Sequence, residues 1–390
     1  MDIDIGFSVD GGSSFIYGAY SNLENITSFD KVAIVLIGND EDNVLTASIY
    51  DDIVEGENGH DQLNGREGND QLNGGGGMDV LTGDAGDDVI TGGGGHDVAY
   101  GGAGHDTLNG GGSNDLIIGG GGNDTLIGGS GIDTLRGGIG ADSMNGGSGI
   151  DTLSYSSDSA GVSINLEFNA ASGGEATGDT IVNFENVIGG SGADTLVGDT
   201  GENALIGGGG NDVILGLAGD DRLVGGDGDD KIRGDEGADK MRGGAGNDTL
   251  LYNTDTTGVT VDIGNDTASG GHATGDDIAK FENIIGGSGN DVLYGTGGDN
   301  ELEGNAGNDN LIGRNGNDVL IGGGGDDTLR GGGDTDTLTG GGGADVFEFV
   351  SGSDDDTITD FQVGIDTLKI FGLTSGDVSF SNAGGGDTLI

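Results

Sequence analysis

Aspartate recurs at every ninth position through most of this chain. In "GGGGNDTLIGGSGIDTLRGGIGADSMNGG" (119–147) it falls at 124, 133 and 142, and two places after each comes Leu126, Leu135 or Met144. A carboxylate at fixed spacing among glycines offers hard oxygen donors: its own, and those of backbone carbonyls that no side chain screens. Such donors suit hard cations, Ca²⁺ first among them. Softer chemistry is nearly absent, because the chain has no Cys and four His. The candidate ligands are Asp61, Asp70, Asp79, Asp88, Asp97, Asp106, Asp115, Asp124, Asp133, Asp142 and Asp151, then Asp194, Asp212, Asp221, Asp230, Asp239 and Asp248, then Asp291, Asp309, Asp318, Asp327, Asp336 and Asp345.

The spacing belongs to a nonapeptide. Eleven units run from Gly56 to Ser154, seven from Gly189 to Leu251 and seven from Gly286 to Glu348. Position one is Gly in all of them. Position four departs from Gly only at Ser113 and Asp334, and position six departs from Asp only at Asn203 and Asn300. Position eight is aliphatic or Met except at Ala99 and Phe347. With 94 Gly and 32% hydrophobic residues, composition alone points to disorder, but neither chance nor low-complexity drift holds four positions in phase.

A slower period overlies this one. Residues 155–188 and 252–285 match along their whole length, and each is followed by seven nonapeptides, so 155–251 and 252–348 form a duplicated unit. "LENI" at 23–26 echoes the "FENV" and "FENI" of the two inserts, and Gly38–Glu55 reads as two degenerate units with Asn43 at a sixth position. The expected organisation is an N-terminal cap with degenerate repeats (1–55), a first block (56–154), an insert (155–188), a second block (189–251), a second insert (252–285), a third block (286–348) and a C-terminal cap (349–390).

The elements that must carry the aspartates follow from the unit. Glycines supply positive φ, so GGxGx predicts a tight turn, and the last three residues, with one large apolar side chain, predict a short strand. One turn and one strand per edge build an all-β, right-handed parallel coil of two nonapeptides, a β-roll in which unit n lies against unit n+2. The aspartates then stack in rows that repel one another. One buried aliphatic side chain per nonapeptide cannot offset the entropy of ordering it, so a bound cation is required. In the inserts, "VSINLEF" and "TIVNFENV" (with 259–263 and 278–285) are expected to be strands of a widened coil that carries no ligand ladder and covers the open ends of each roll. Tyr155, Phe168, Phe184, Phe281, Phe347, Phe349 and Phe361 are expected to form local core.

The pattern GGxGxDxUx, U being a large apolar residue, resembles the RTX or haemolysin-type calcium-binding repeat. The inserts resemble the connectors common between RTX blocks. The tail "GGGGADVFEFVSGSDDDTITDFQVGIDTLKI" (340–370) is similar to the C-terminal region of serralysin-like and other type I-secreted proteins. The resemblance implies Ca²⁺ between stacked turns, each ion taking carbonyls of positions two and four and the Asp of one turn, then carbonyls of positions one and three and the Asp two units on. One such site would use Gly102, Gly104 and Asp106 with Gly119, Gly121 and Asp124. Nine, five and five stacked pairs give 19 sites at most, and 17 have Asp on both turns. It also implies type I secretion machinery as a partner and an extracellular or cell-surface location, with self-association left open. Two roles follow: a non-catalytic calcium-binding module, or the C-terminal part of a secreted protease, lipase or alginate epimerase whose catalytic domain lies elsewhere.

Charge narrows the partners. Twelve Lys and Arg against 69 Asp and Glu give a net charge of −57, which disfavours nucleic acid and anionic membranes. No apolar run is long enough to span a bilayer, and "MDIDIGFSVDGG" lacks the pattern of a signal peptide, so export would need another route. No HExxH, GxSxG, Walker-type or EF-hand motif occurs, and the expectation is a protein without catalysis. His60, His96 and His105 read as surface turn residues, and Asp354–Asp356 as a solvated acidic turn.

Overall fold

The computed structural model describes residues 14–16, 25–27, 32–350 and 355–372. Much of the expected N-terminal cap and most of the C-terminal one, with Asp354 of the acidic turn, lie outside the described residues. The chain divides into two compact units, Met1–Leu196 and Val197–Ile390.

In the first unit two parallel ladders rise in steps of two nonapeptides, as one repeat per edge requires. One passes through Val89–Gly94, Thr107–Gly112, Thr125–Gly131 and Ser143–Gly149, with Ile90, Leu108, Leu126 and Met144 in register. The other passes through Val80–Ala85, Val98–Ala103, Leu116–Gly121 and Thr134–Ile139, with Leu81, Ala99, Ile117 and Leu135 in register. These position-eight side chains are almost fully buried and make the core between the ladders. The degenerate units join in, since Leu45 pairs with Leu63 and Val54 with Leu72. The second unit repeats the arrangement with Leu205, Leu223 and Met241 on one ladder and Leu302, Leu320 and Leu338 on another. A third begins at Thr260–Asp262 and continues through Val292–Tyr294 to Thr367–Phe371. The fold is an all-β parallel solenoid. Among the described residues its only helical turns are the single 3₁₀ turns Gly174–Ala176 and Gly271–Ala273.

Three expectations are refined. Most strands in the blocks span six residues, not three: they start at position seven and reach position three of the next repeat. Register pairs Ile127 with Asn109 and then Gly129 with Gly111, so Gly128 lies between paired residues and half of the supposed turn is ladder. Positive φ belongs to positions two and four, as at Gly129 (112°) and Gly131 (143°), while position-one glycines have none. Their invariance has a steric origin, given below.

The inserts do not simply cover ends. Met144 pairs with Ile181 and Leu153 with Val187, so "TIVNFENV" carries both ladders of the first unit onward. In the second unit Leu250 pairs with Ile284, which pairs in turn with Leu302, so one ladder runs straight through the insert. Each insert adds an antiparallel hairpin, Ser163–Asn165 with Ala170–Ser172 and Thr260–Asp262 with Thr267–Ser269. Tyr155, Phe184, Tyr252, Phe281 and Phe347 are buried as core. Phe349 and Phe361 are half-buried. Phe168 departs from expectation and stands 72% exposed at the hairpin tip.

Candidate metal centre

Within a block, a sixth-position aspartate is held by its neighbours two repeats away. Asp124 accepts the N–H of Asp106 on Oδ1 at 2.9 Å and donates its own N–H to Asp142 Oδ1 at 2.8 Å. Asp133, one repeat away, belongs to the other row and bonds Asp115 and Asp151. One oxygen is thus consumed in tying coil to coil. The other, Oδ2, is buried without a hydrogen-bond partner at all eleven aspartates from Asp61 to Asp151, at Asp221, Asp230, Asp239 and Asp248, and at Asp309, Asp318, Asp327, Asp336 and Asp345. A buried carboxylate oxygen with no donor is costly, and a repeated row of them marks places shaped for a cation.

The surroundings of Oδ2 supply the rest of a donor set. A Cβ on Gly101 would run into both Asp106 Oδ2 and the carbonyl oxygen of Gly119, so these two oxygens converge on the space left by the missing side chain. Gly119 stands in the same relation to Asp124 Oδ2 and the carbonyl of Gly137. Position one must be glycine because the oxygens need its volume. Among the described residues no three acidic or imidazole side chains come together, so carbonyls have to complete any shell. That is the donor mixture Ca²⁺ takes.

Without a cation these carboxyls are strained electrostatically. Burial first, and then neighbouring aspartates, push Asp124 and Asp106 up to about 6, and Asp70, Asp115, Asp221, Asp309 and Asp318 up to about 7. The N–H bonds on Oδ1 oppose the shift only in part.

The turns come in two forms. Where Oδ2 lacks a partner, position two has positive φ, even when it carries a side chain, as at Arg66, Asp84, Asp235, Asn305 and Arg314. In four repeats position two does not have it, and its N–H instead bonds the sixth side chain: Gly190 to Asp194 Oδ2, Asp199 to Asn203 Oδ1, Gly287 to Asp291 Oδ2 and Thr296 to Asn300 Oδ1. Asp194 and Asp291 also accept Val162 N–H and Val259 N–H on Oδ1. The spacing names both as ligands, yet their carboxylates are satisfied within the protein. Asp212 follows the open pattern, with Gly208 at φ 113° and its N–H on Asp230 Oδ1.

At the inserts the hydrogen-bond ladder continues through residues the nonapeptide does not supply. Asp142 N–H donates to Asp179 Oδ1 and Asp239 N–H to Asp276 Oδ1, while the Tyr155 and Tyr252 hydroxyls occupy the second oxygens at 2.8 Å. Burial and these carboxylates push both phenols well above their usual range, so they stay protonated donors. On the other edge Asp151 N–H donates to Glu185 Oε2 and Asp248 N–H to Glu282 Oε2. Asp158 and Asp255 each accept three backbone N–H groups and pin the hairpin base.

Position five also carries structure that the spacing argument missed. Its side chain accepts the N–H of the residue two repeats on: Asn69 from Asp87, His60 Nδ1 from Met78 and His105 Nδ1 from Asn123. The signal was present as the frequency of Asn, Asp and His there. The three histidines are turn residues as expected, but they bond coil to coil.

No curated protein matches the chain. The family model for the RTX calcium-binding nonapeptide repeat matches residues 37–72, the stretch 73–153 in overlapping windows, 188–223, 215–250, 285–320 and 312–347, well over half of the chain. Rows of buried carboxylates, carbonyls converging on them and a nonapeptide in phase agree with that match, and the chain belongs to the RTX calcium-binding repeat family.

Proposed function

We propose that this chain is a calcium-folded module of a secreted protein, exported unfolded and ordered outside the cell. The observation that carries the reading is the unpartnered, buried Oδ2 repeated along the rows from Asp61 to Asp151, Asp221 to Asp248 and Asp309 to Asp345, with a carbonyl of the next coil beside it at turns such as those of Asp106 and Asp124. Each ion would lie between an open turn and the turn two repeats on. The site of Gly102, Gly104, Asp106, Gly119, Gly121 and Asp124 is the type, with nine such pairs in the first block (Asp61 with Asp79 through Asp133 with Asp151), three in the second (Asp212 with Asp230 through Asp230 with Asp248) and three in the third (Asp309 with Asp327 through Asp327 with Asp345). Asp194 and Asp291 drop out as lower partners because N–H groups already fill them.

Calcium at ten times its Kd stabilises the folded state by about 1.4 kcal/mol per site, so fifteen sites supply on the order of 20 kcal/mol. That exceeds the whole stability of an ordinary domain. Cytosolic Ca²⁺ is too scarce to fill weak sites of the extracellular class, which supports an unfolded export form and folding at roughly 10⁻⁴–10⁻³ M outside. No helix among the described residues is long and apolar enough to cross a membrane. The experiment is secretion through a type I channel with and without residues 340–390. Loss on truncation supports the export reading, and undiminished secretion contradicts it.

A further inference from the structure

The two inserts reproduce, with different residues, the oxygen arrangement of an open turn. Asp151 and Asp248 are 1% and 0% exposed, and the Oδ2 of each has no hydrogen-bond partner. A Cβ on Gly146 would strike Asp151 Oδ2 and the carbonyl oxygen of Asn183; one on Gly243 would strike Asp248 Oδ2 and the carbonyl of Lys280. Gly101 stands in the same relation to Asp106 Oδ2 and the carbonyl of Gly119. The upper carboxylate is Glu185 or Glu282, whose Oε2 accepts the lower aspartate's N–H at 2.7 Å and 2.9 Å, as Asp124 Oδ1 accepts that of Asp106.

The substitution is coherent. In the nonapeptide the carboxylate of Asp124 comes five positions after the carbonyl donor Gly119, whereas Glu185 comes two positions after Asn183. The longer glutamate arm makes up for the shorter turn. Asn183 (φ 57°) and Lys280 (φ 58°) hold the left-handed conformation that brings their carbonyls to this place, although neither is glycine. The arrangement occurs once in each copy of the duplicated unit, on one edge only. On the opposite edge Tyr155 and Tyr252 hydroxyls close the second oxygens of Asp179 and Asp276.

We propose that each insert holds a divalent cation of the Ca²⁺ class, between Asp151 and Glu185 and between Asp248 and Glu282, with the Asn183 and Lys280 carbonyls as donors. The inference rests on the calcium reading of the repeat turns and extends it to residues outside the nonapeptide. Two measurements test it. In the first, bound Ca²⁺ per folded full-length chain is counted by equilibrium dialysis for the parent and for Glu185→Gln/Glu282→Gln, in which the amide oxygen can still accept the aspartate N–H. Two fewer ions are expected, with superimposable far-UV circular dichroism; a folded variant holding the parent's count overturns the proposal. The second uses the unaltered chain, so it decides even where the variant fails to fold. Long-wavelength anomalous difference maps of Ca²⁺-loaded crystals should show peaks at both insert positions as well as between repeat coils. Peaks between repeats alone overturn the insert sites and leave the repeat reading intact. No peaks anywhere would remove the repeat reading itself.

Discussion

At the scale of the residue, one carboxylate does two separable jobs. Asp124 Oδ1 ties its coil to the one below, and Oδ2 is left for a cation. On the proposed calcium reading, pairs two repeats apart would share an ion and pairs one repeat apart would not. Asp124→Ala with Asp142→Ala should be non-additive by roughly 0.5–3 kcal/mol in unfolding free energy at fixed Ca²⁺, while Asp124→Ala with Asp133→Ala adds. Coupling of Asp124 to Asp133 and none to Asp142 would contradict the stacking. Two glycines of one proposed site should also differ. A Cβ at Gly119 collides with Asp124 Oδ2 and the Gly137 carbonyl, so Gly119→Ala should cost about 1–3 kcal/mol and raise the Ca²⁺ midpoint. At Gly121 a Cβ meets nothing within 4 Å, and Gly121→Ala should stay within about 0.5 kcal/mol of the parent. Equal effects at the two would mean that the space by Gly119 is not the site. The pH response follows from the same carboxyls. Their folded values, raised to about 6–7, lie above the unfolded 3.8, so in chelator the folded form is favoured fully below 3.8 and loses that stability as pH rises through 6–7. Acidifying the chelated chain from about pH 7.5 to 4 should raise its β-type circular dichroism, whereas with Ca²⁺ present protons compete and the calcium midpoint rises. A chelated chain with a flat response would refute the sign.

At the scale of the element, the nonapeptide was legible because each of its fixed positions answers to one constraint: volume at position one, backbone angle at position four, charge at six, core at eight. The coil of two repeats and the parallel stacking follow from those alone. What could not be read is the choice between open and closed turns. Gly190 and Gly120 are the same residue at the same position, but only Gly120 has positive φ; Gly190 N–H instead donates to Asp194 Oδ2, while Val162 N–H of the insert occupies Oδ1. Glu185 was likewise invisible as a ladder member, because its insert departs from the nine-residue frame. Turn type should separate experimentally. Asp194→Ala should lower stability by about 1–3 kcal/mol through orphaned N–H groups and leave the ion count unchanged, whereas Asp124→Ala should reduce it. Loss of bound Ca²⁺ in Asp194→Ala would restore that residue as a ligand.

At the scale of the whole molecule, the proposed function makes folding and cation binding one process, because of the charge of −57 and the buried carboxylate rows. Position-eight side chains give each unit of the chain a narrow core, and among the described residues buried Tyr and Phe thicken it at the inserts and at Phe347. The most direct test of this account is far-UV circular dichroism of the full chain, titrated from chelator to about 10⁻³ M Ca²⁺ beside a matched Mg²⁺ titration. The account predicts a disordered spectrum in chelator that turns to β structure cooperatively with Ca²⁺ and not with Mg²⁺, whose tight octahedral shell these carbonyl-rich sites do not match. A full β spectrum in chelator, unchanged when Ca²⁺ is added, would contradict it.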